Sequence, residues 1–392
     1  MTHRQISYFA GAWLAAAAAL AQDAPAPTST PPPEPATTPV PSTTPVPAPA
    51  PEPPAPAVAP SGGSAVNPTF FNPAIAVIGN FLASVGHNPV QPSPAFQVEE
   101  SEISFQAVVD PYARADLFLS FTNDGVEVEE GYVTFLTLPW DMQAKAGKFK
   151  VQFGKINTLH LHVLPWADEP LPYQNLLFQE QGDTWAAEGI SLSKLIELPG
   201  DTFSEVYGQV LDNSTGVDLF TSPNKGDLTY NGQYRIFRDL GDDSNVEASF
   251  SYAYGHNGTT PTDTTNLQNA ALVYRWKPLQ GRPYRSLIIR SEYFWSNREQ
   301  PNGLQKAQGF FAGADWQLAR QWYTGVRYEF SDRANDAVMR DKGYAATLTF
   351  MPSEFSVIRG EFRQRVYAPG IKANEGFLQI QFAIGAHGAH PF

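Results

Sequence analysis

The sequence predicts an all-β protein, a transmembrane antiparallel β-barrel of sixteen strands preceded by a signal peptide and a disordered proline-rich segment. Three observations predict this fold. Apolar and polar residues alternate along most of the chain after about residue 68, turn signals divide this part into sixteen runs, and aromatic residues gather near the ends of the runs. A side-chain repeat of two is typical of strands that have one apolar and one polar face.

The amino-terminal part predicts export. Residues 1–21 are expected to be a cleaved signal peptide, because a mildly positive start precedes an apolar run and the small-x-small pattern Ala19-Leu20-Ala21. Sixteen of the chain's 35 prolines lie between residues 24 and 60. Such a composition favours an extended polyproline II conformation and lacks the side chains of a core. Residues 22–67 are therefore predicted to be a disordered periplasmic linker, and residues 68–392 the barrel.

Turn signals set the limits of the predicted strands. These are 73–85, 96–109, 113–122, 126–138, 142–153, 188–196, 202–211, 227–238, 245–254, 267–276, 285–296, 307–316, 320–330, 343–351, 354–366 and 376–386. The alternation shifts phase near Glu129, Glu130 and Gly131, which predicts a β-bulge there. Short connectors such as "LPWDM" mostly alternate with long polar ones such as "HNGTTPTDTTN". This alternation is typical of a barrel with a short-turn end and a long-loop end.

A soluble β-sandwich is the main alternative, because its core would produce the same alternation. Three features favour a membrane barrel: the export signal, strand lengths that match a tilted bilayer crossing, and the position of the tryptophans. Trp276, Trp316 and Trp322 fall near the predicted short-turn end, and Trp295 falls near the long-loop end. Girdles of aromatic residues have this layout in outer-membrane barrels.

Composition excludes several function classes. The formal charge of -13 argues against a nucleic-acid partner, and the absence of cysteine removes disulfides, thiolate metal ligands and cysteine nucleophiles. A serine-type active site would need a histidine beside a nucleophile and an acidic partner. His256 in "YGHNGTT" is a lone histidine in a turn-rich loop. We therefore expect a protein that is not an enzyme and needs no cofactor.

The polar faces of the strands predict the lining of the pore. A charge on the lipid face would cost about 2 to 4 kcal/mol near the middle of the membrane, so charged strand residues should point into the lumen. The predicted pore-lining residues are Lys148, Lys150, Arg290, Glu292, Arg327, Arg359, Glu361, Arg363 and Arg365. By the same parity Phe149, Val151 and Phe153 should face lipid. The arginines either guide anions such as phosphate or only solvate the wall and pair across strands.

Acidic residues gather on a different arc of the predicted wall, toward the long-loop end. They are Glu99, Glu100, Glu102, Glu127, Glu129 and Glu130. Rings or arcs of fixed charge set the ion preference of pores. The two signs together would produce a field across the lumen.

The pattern, the strand number and the final Phe392 resemble the Gram-negative outer-membrane porins of the sixteen-stranded group, including the phosphate-selective branch. The stretch "HGAHPF" departs from the pattern, because it interrupts the alternation before the terminal residue. The resemblance implies an outer-membrane location, contact with membrane lipid, recognition of Phe392 by the barrel-assembly machinery, and a homotrimer. It also implies diffusion of small hydrophilic solutes, with the third outward loop, residues 154–187, forming the narrowest point of the channel.

This predicted constriction loop carries His160, His162, Asp168 and Glu169. On an extended chain the two histidines would project to the same side, as in zinc sites, and acidic residues of the loop could add oxygen ligands. The candidates are Asp168, Glu169, Glu180 and Asp183. Two histidines fall short of the four ligands of a structural zinc site, so no metal is predicted. His387 and His390 should lie at the opposite end of the barrel.

The sequence therefore predicts a diffusion porin. Two alternatives remain: an uptake channel specific for an anion such as phosphate or linked to a metal, and a barrel that does not conduct and has a structural or adhesive role.

Overall fold

The computed structural model describes residues 73–122, 125–177, 185–213, 219–278 and 284–385. Several predictions concern residues outside these ranges. They are the signal peptide 1–21, the linker 22–67, and the residues Glu180, Asp183, His387, His390 and Phe392.

Sixteen antiparallel strands form one closed barrel, in which neighbours in sequence are hydrogen-bonded and β1 pairs with β16. The strands are β1 Ala74–His87, β2 Phe96–Asp110, β3 Ala113–Thr122, β4 Gly125–Leu138, β5 Met142–Lys150, β6 Ala186–Leu198, β7 Thr202–Asp212, β8 Thr229–Asp239, β9 Ser244–His256, β10 Thr264–Trp276, β11 Leu287–Arg298, β12 Gln305–Ala319, β13 Trp322–Arg333, β14 Asp336–Ser353, β15 Ser356–Tyr367 and β16 Ile371–Gly385. The predicted fold class is confirmed, and closure of the sheet excludes the sandwich.

The largest difference from the predicted strand limits lies between β13 and β14. The polar stretch "SDRANDAVMRDKG" was expected to be a loop, but both strands continue into it as a hairpin. Its charges pair across the two strands: Arg340 lies 2.6 Å from Asp332, and Arg333 lies 3.1 Å from Asp341. A strand pair beyond the apolar band can be polar on both faces, so its composition resembles that of a loop.

The predicted bulge in β4 is confirmed. Phe118 pairs with Glu130 and the next residue of β3 pairs with Val128, so Glu129 is the extra residue. A second bulge lies in β2, where the register with β1 skips Glu99. Because a bulge changes the direction of the side chains around it, Glu129 and Glu130 both turn to the interior despite being consecutive.

The outer surface of the barrel is apolar. Apolar side chains that are more than a third exposed occur on nearly every strand, including Val206, Val210, Phe250, Leu272, Ile289, Val326, Phe362 and Ile380. Aromatic residues lie at the strand ends, where Trp276 stacks on Trp316 with 5.8 Å between ring centroids. Among the described residues no helix has the length and apolar composition needed to cross a membrane.

Beyond β5 the chain turns into the barrel instead of away from it. Residues 151–177, which we name the lumen loop, include a 3-10 helix at Leu161–Val163 and the α-helix α1 at Leu171–Leu176. Apolar side chains of the loop and of the wall form one buried cluster. Its loop members include Val151, Phe153, Ile156, Leu161, Leu164, Trp166, Tyr173 and Leu176, and its wall members include Phe149, Leu211, Ala253, Leu267, Phe294 and Phe311.

The assignment of Phe149, Val151 and Phe153 to the lipid face was wrong, because all three are fully buried in this cluster. Phe149, near the end of β5, points to the interior and supports the lumen loop. Since neighbouring strand residues point to opposite faces, Lys148 lies on the outer face. It pairs there with the exposed Glu127 at 2.9 Å. Lys150, the last strand residue, follows the chain inward and is buried.

Candidate functional site: the lumen loop and its contacts

Most of the charged residues predicted to line the pore lie on the inner side of the wall. Arg290, Arg327 and Arg359 each follow an exposed apolar residue on the same strand, as the alternation requires. They do not face open lumen, however, because the lumen loop covers much of the wall. Seven of the predicted residues are almost fully buried: Lys150, Glu292, Arg327, Arg359, Glu361, Arg363 and Arg365. Their role in lining a pore stays a prediction.

On one side the loop is held by three arginines, which we name the arginine seat: Arg327 on β13, and Arg363 and Arg365 on β15. All three guanidinium groups bind the carboxylate of Asp168. Arg327 Nη2 lies 2.6 Å from Oδ1, and Arg363 Nη1 and Arg365 Nη2 lie 2.5 and 2.7 Å from Oδ2. Burial alone would raise the pKa of Asp168, but the three guanidinium groups hold it well below its ordinary value.

The charges of the arginine seat are balanced by carboxylates of the wall. Arg365 Nε donates to Glu329 Oε1 at 2.9 Å, and the Arg327 guanidinium lies 2.9 Å from the other oxygen of Glu329. Arg363 donates to Glu375 at 2.6 Å. Buried ions are tolerated when they are paired in this way.

Neighbouring wall residues bind the loop backbone. Glu361 accepts a hydrogen bond from the Ala167 amide at 2.7 Å, and Arg359 donates to the Trp166 carbonyl at 3.1 Å. The Trp166 ring also lies against Arg327, with 4.8 Å from the guanidinium carbon to the ring centroid. These contacts fix the chain just before Asp168, and the Leu171 amide, which donates to Glu329 at 3.1 Å, fixes it just after.

On another part of the wall the loop meets a group of carboxylates, which we name the acidic seat: Glu100 and Glu102 on β2, and Glu129 and Glu130 on β4. His160 inserts among them. Its Nε2 lies 3.1 Å from Glu130 Oε1, and its Nδ1 lies 2.6 Å from Glu102 Oε2 and 3.4 Å from Glu129 Oε2.

Two further basic residues contact the acidic seat. His162 Nδ1 lies 3.4 Å from Glu100, and Lys150 Nζ lies 2.6 Å from Glu129. Burial and the nearby Lys150 oppose protonation of His160, but Glu129 and Glu102 raise its pKa well above the ordinary value. The loop therefore brings two imidazole rings to the acidic wall and a carboxylate to the basic wall.

Apart from the two seats, the loop is also held by hydrogen bonds to Glu292 on β11. The Tyr173 hydroxyl donates to Glu292 Oε2 at 2.7 Å and accepts from the Ile156 amide at 3.1 Å. The amide of Lys155 also donates to Glu292. Burial raises the pKa of Tyr173 well above its ordinary value, so its hydroxyl stays neutral.

A row of uncharged groups on β7 to β9 binds the start of the loop. The Gln152 amide donates to Gln209 at 3.0 Å, its side chain donates to Gln233 at 3.0 Å, and the Gly154 amide donates to Ser251 at 3.0 Å. Every one of these contacts comes from an inward strand position. The loop is thus bound to the wall on several sides of the barrel.

A few charged side chains near the loop remain partly exposed, and we name Lys155, Arg275 and Arg114 the lumen cations. Lys155 and Arg275 converge on Glu247, at 2.7 and 3.2 Å, and their side chains are 23% and 33% exposed. Arg114 pairs with Asp116 at 2.6 Å and is 32% exposed. Solvent reaches all three of these side chains.

The structure brings together only some of the residues predicted for the constriction. His160 and His162 are neighbours, with 5.6 Å between ring centroids, whereas Asp168 lies in the arginine seat. Glu169 is buried beside Asp168, and its carbonyl accepts from Gln174. The wall glutamates that surround His160 were predicted as an acidic arc, but their contact with the histidines was not. The sequence offered one signal for this contact: the wall glutamates and the histidines are both predicted to lie toward the long-loop end.

Comparison with known proteins agrees with this architecture. The sequence matches no described protein family. An uncharacterized protein of Aquifex aeolicus (strain VF5) is 28% identical over 347 residues, which cover 78% of this chain and 72% of the relative.

Solved structures of similar fold are outer-membrane proteins. The anion-selective porin from Comamonas acidovorans superposes with a TM-score of 0.55 at 12% identity, over 79% of this chain and 98% of the porin. The outer membrane channel DcaP of Acinetobacter baumannii gives 0.52 at 11% identity, over 80% and 96%. The trimer form of OmpT of Vibrio cholerae gives 0.50 at 10% identity, over 80% and 100%. The chain has the fold of the outer-membrane porins.

Proposed function

We propose that this protein is an outer-membrane channel through which small hydrophilic solutes or ions diffuse. The observation that carries the proposal is the closed sixteen-strand barrel with an apolar outer surface, a polar inner wall and a long loop bound across its interior. An apolar exterior suits lipid, and a barrel of this strand number is wide enough to hold water. The lumen loop would then narrow the path and set the size limit.

The buried arginines cannot guide ions along the path, since they are engaged by Asp168 and the wall carboxylates. We infer that the lumen cations take this role, because fixed charges influence permeation only where the permeating ion can approach them. Lys155, Arg275 and the neighbouring Arg235 share Glu247. Arg235 also pairs with Glu205, so three cations face two carboxylates, and the remaining positive charge favours small anions over cations.

A channel, rather than an enzyme, is the function that the solved structures of similar fold favour, since they include an anion-selective porin and an outer membrane channel. One of them is a trimer form. We extend both features to this chain as proposals: passive conduction, and assembly as a homotrimer.

Recording from planar lipid bilayers tests the proposal. Purified, folded protein should produce discrete current steps whose size rises with salt concentration. A correctly folded barrel that never changes the bilayer current would contradict the channel and favour a structural or adhesive role.

Reversal potentials in asymmetric potassium chloride test the ion preference. Wild type should favour chloride, and Lys155→Gln should reduce this preference because it removes a partly exposed cation from the lumen. Lys148→Gln is the matched control, since Lys148 lies on the outer face and pairs with Glu127. Equal reversal potentials for wild type and Lys155→Gln would show that Lys155 has no part in selectivity.

A further inference from the structure

The acidic seat has the arrangement of a metal site. Glu100 and Glu102 of β2, Glu129 of β4 and His160 of the lumen loop each offer one ligand atom, and these atoms all lie within 4.8 Å of one another. Ligands of a bound zinc ion lie about 2.0 to 2.2 Å from the metal, so a shift of less than an ångström in each side chain would close the site around a cation.

Three buried atoms in this cluster lack hydrogen-bond partners among the described residues: Glu102 Oε2, Glu129 Oε2 and His160 Nδ1. They come from three different elements and point to the same place. His160 Nδ1 is 2.6 Å from Glu102 Oε2 and 3.4 Å from Glu129 Oε2, but the angles at these atoms do not form a hydrogen bond. The Glu102 side chain is 2% exposed, so water cannot readily supply the missing partner.

The surroundings of His160 prepare its Nδ1 for a metal. An ionised carboxylate only accepts hydrogen bonds, so the contact of 3.1 Å between Nε2 and Glu130 Oε1 places a proton on Nε2. Nδ1 faces Glu102 and Glu129. A cation bound there would displace the proton from Nδ1, since an imidazole binds a metal in its neutral form. A carboxylate that accepts the second N–H of a histidine is the usual support of a metal-binding imidazole.

Charge also favours a cation. Four glutamates meet in this part of the wall, and Lys150 is the lysine that balances them, at 2.6 Å from Glu129. Lys150 binds the Oε1 of Glu129 and leaves Oε2 directed to the cluster. A divalent cation would offset most of the remaining negative charge.

We propose that Glu100, Glu102, Glu129 and His160 form a site for a divalent transition-metal cation of the zinc or manganese type. One imidazole nitrogen with three carboxylate oxygens suits these ions, whereas Ca²⁺ and Mg²⁺ prefer sites made of oxygen ligands alone. The cation would tie the lumen loop to β2 and β4. The bulge at Glu129 makes the site possible, since it turns Glu129 and Glu130 inward together.

Calorimetric titration of the full-length, detergent-folded protein with Zn²⁺ tests this site. Wild type should bind one ion per chain, and Mg²⁺ should not compete. Glu102→Gln and Glu129→Gln should each weaken binding at least tenfold. Glu130→Gln, which removes the support of the imidazole, should weaken it about 10- to 100-fold. Glu127→Gln is the matched control, because this exposed residue of β4 pairs with Lys148 and should leave the affinity unchanged.

A second measurement keeps the proposal testable even if a variant folds poorly, because it is made on wild type and the control. Zn²⁺ should raise the unfolding temperature of wild type and of Glu127→Gln, because a ligand that binds only the folded state stabilises it. No binding to folded wild type would overturn the proposal. The same affinity in Glu102→Gln, Glu129→Gln and wild type would also overturn it, since the ion would then be bound elsewhere on the chain.

Discussion

The two seats of the lumen loop are opposite in charge and differ in how far neighbouring residues balance that charge. In the arginine seat, Asp168 binds three guanidinium groups, whose other contacts include Glu329 and Glu375. In the acidic seat, His160 stands among more carboxylates than the nearby cations balance, and three atoms have no hydrogen-bond partner among the described residues. The three arginines of the first seat are balanced by Asp168, Glu329 and Glu375, although Arg327 Nε and Arg363 Nε also have no hydrogen-bond partner among the described residues. The second has the composition of a site that takes a ligand.

This difference separates a stability role from a binding role for buried charges. When the charges of a buried network balance, removing one partner leaves other buried charges without compensation, which is strongly destabilising. In a seat that carries excess charge of one sign, removing one charge also relieves repulsion. Substitutions in the arginine seat should therefore lower the free energy of unfolding more than the corresponding substitutions in the acidic seat.

Asp168→Asn is expected to have the largest effect. It leaves Arg327, Arg363 and Arg365 buried without their shared carboxylate, and breaking a buried pair in this way costs about 3–5 kcal/mol. Urea unfolding in detergent should show this loss of unfolding free energy. Asp239→Asn, an exposed aspartate at the short-turn end, is the control and should change little. A loss of unfolding free energy below about 1 kcal/mol, the contribution of an exposed ion pair, would show that Asp168 does not hold the loop to the wall.

The same carboxylate predicts a pH dependence. The pKa of Asp168 is lower in the folded chain than in the unfolded chain, so its stabilising contribution is present above the unfolded pKa of about 3.9 and is lost as pH falls below it. Charged groups that face it are Arg327, Glu329, Glu361, Arg363, Arg365, Glu375 and Glu99. The difference in unfolding free energy between wild type and Asp168→Asn should narrow as pH falls from about 5 to about 3, without vanishing, because the folded pKa lies lower still. Parallel curves would argue against this contribution.

Arg363→Met should have a smaller effect, since Asp168 keeps two guanidinium partners while Glu375 loses one charged hydrogen bond, worth about 1.5–3 kcal/mol. Arg340→Met provides the comparison, because Arg340 pairs with Asp332 in the hairpin and is 48% exposed. Exposed pairs contribute up to about 1 kcal/mol. Equal costs of the two substitutions, by the same unfolding assay, would show that burial adds nothing to the seat.

Tyr173→Phe tests the contact of the lumen loop with Glu292 on β11. The change removes the hydroxyl that joins Glu292 to the Ile156 amide, and a buried group left without its hydrogen bond costs about 1–3 kcal/mol. Tyr328→Phe, on the outer face, should be close to neutral. If the two variants unfold alike, the Tyr173 hydroxyl does not help to hold the loop.

The barrel was predictable from the sequence because its signals are local. Alternation identifies strands, and turn residues separate them, so the strand number and most limits agree with the structure. Even the bulge at Glu129 was visible as a phase shift. The assignment failed on β5, where Phe149 faces inward to support the loop. Parity analysis assumes an apolar exterior and a wet interior, and this rule does not hold where a loop creates a second core inside the barrel.

The site was less predictable, because its contacts join residues far apart in the chain. The sequence placed His160 and Asp168 together in one loop, but their partners lie on β2, β4, β13 and β15. Periodicity shows which face a wall residue occupies and not which part of a folded loop will cover it. The arginines of β15 were thus placed on the correct face, while their contact with Asp168 required the path of the loop.

Single-channel recording of wild type beside Asp168→Asn tests the central claim most directly, namely that a conducting barrel is narrowed by a loop held at two seats of opposite charge. Wild type should give discrete current steps, and the variant should give larger and noisier steps because one seat is released. Far-UV circular dichroism would verify that both barrels are folded. Folded wild type without current steps, or identical steps from both proteins, would contradict the account.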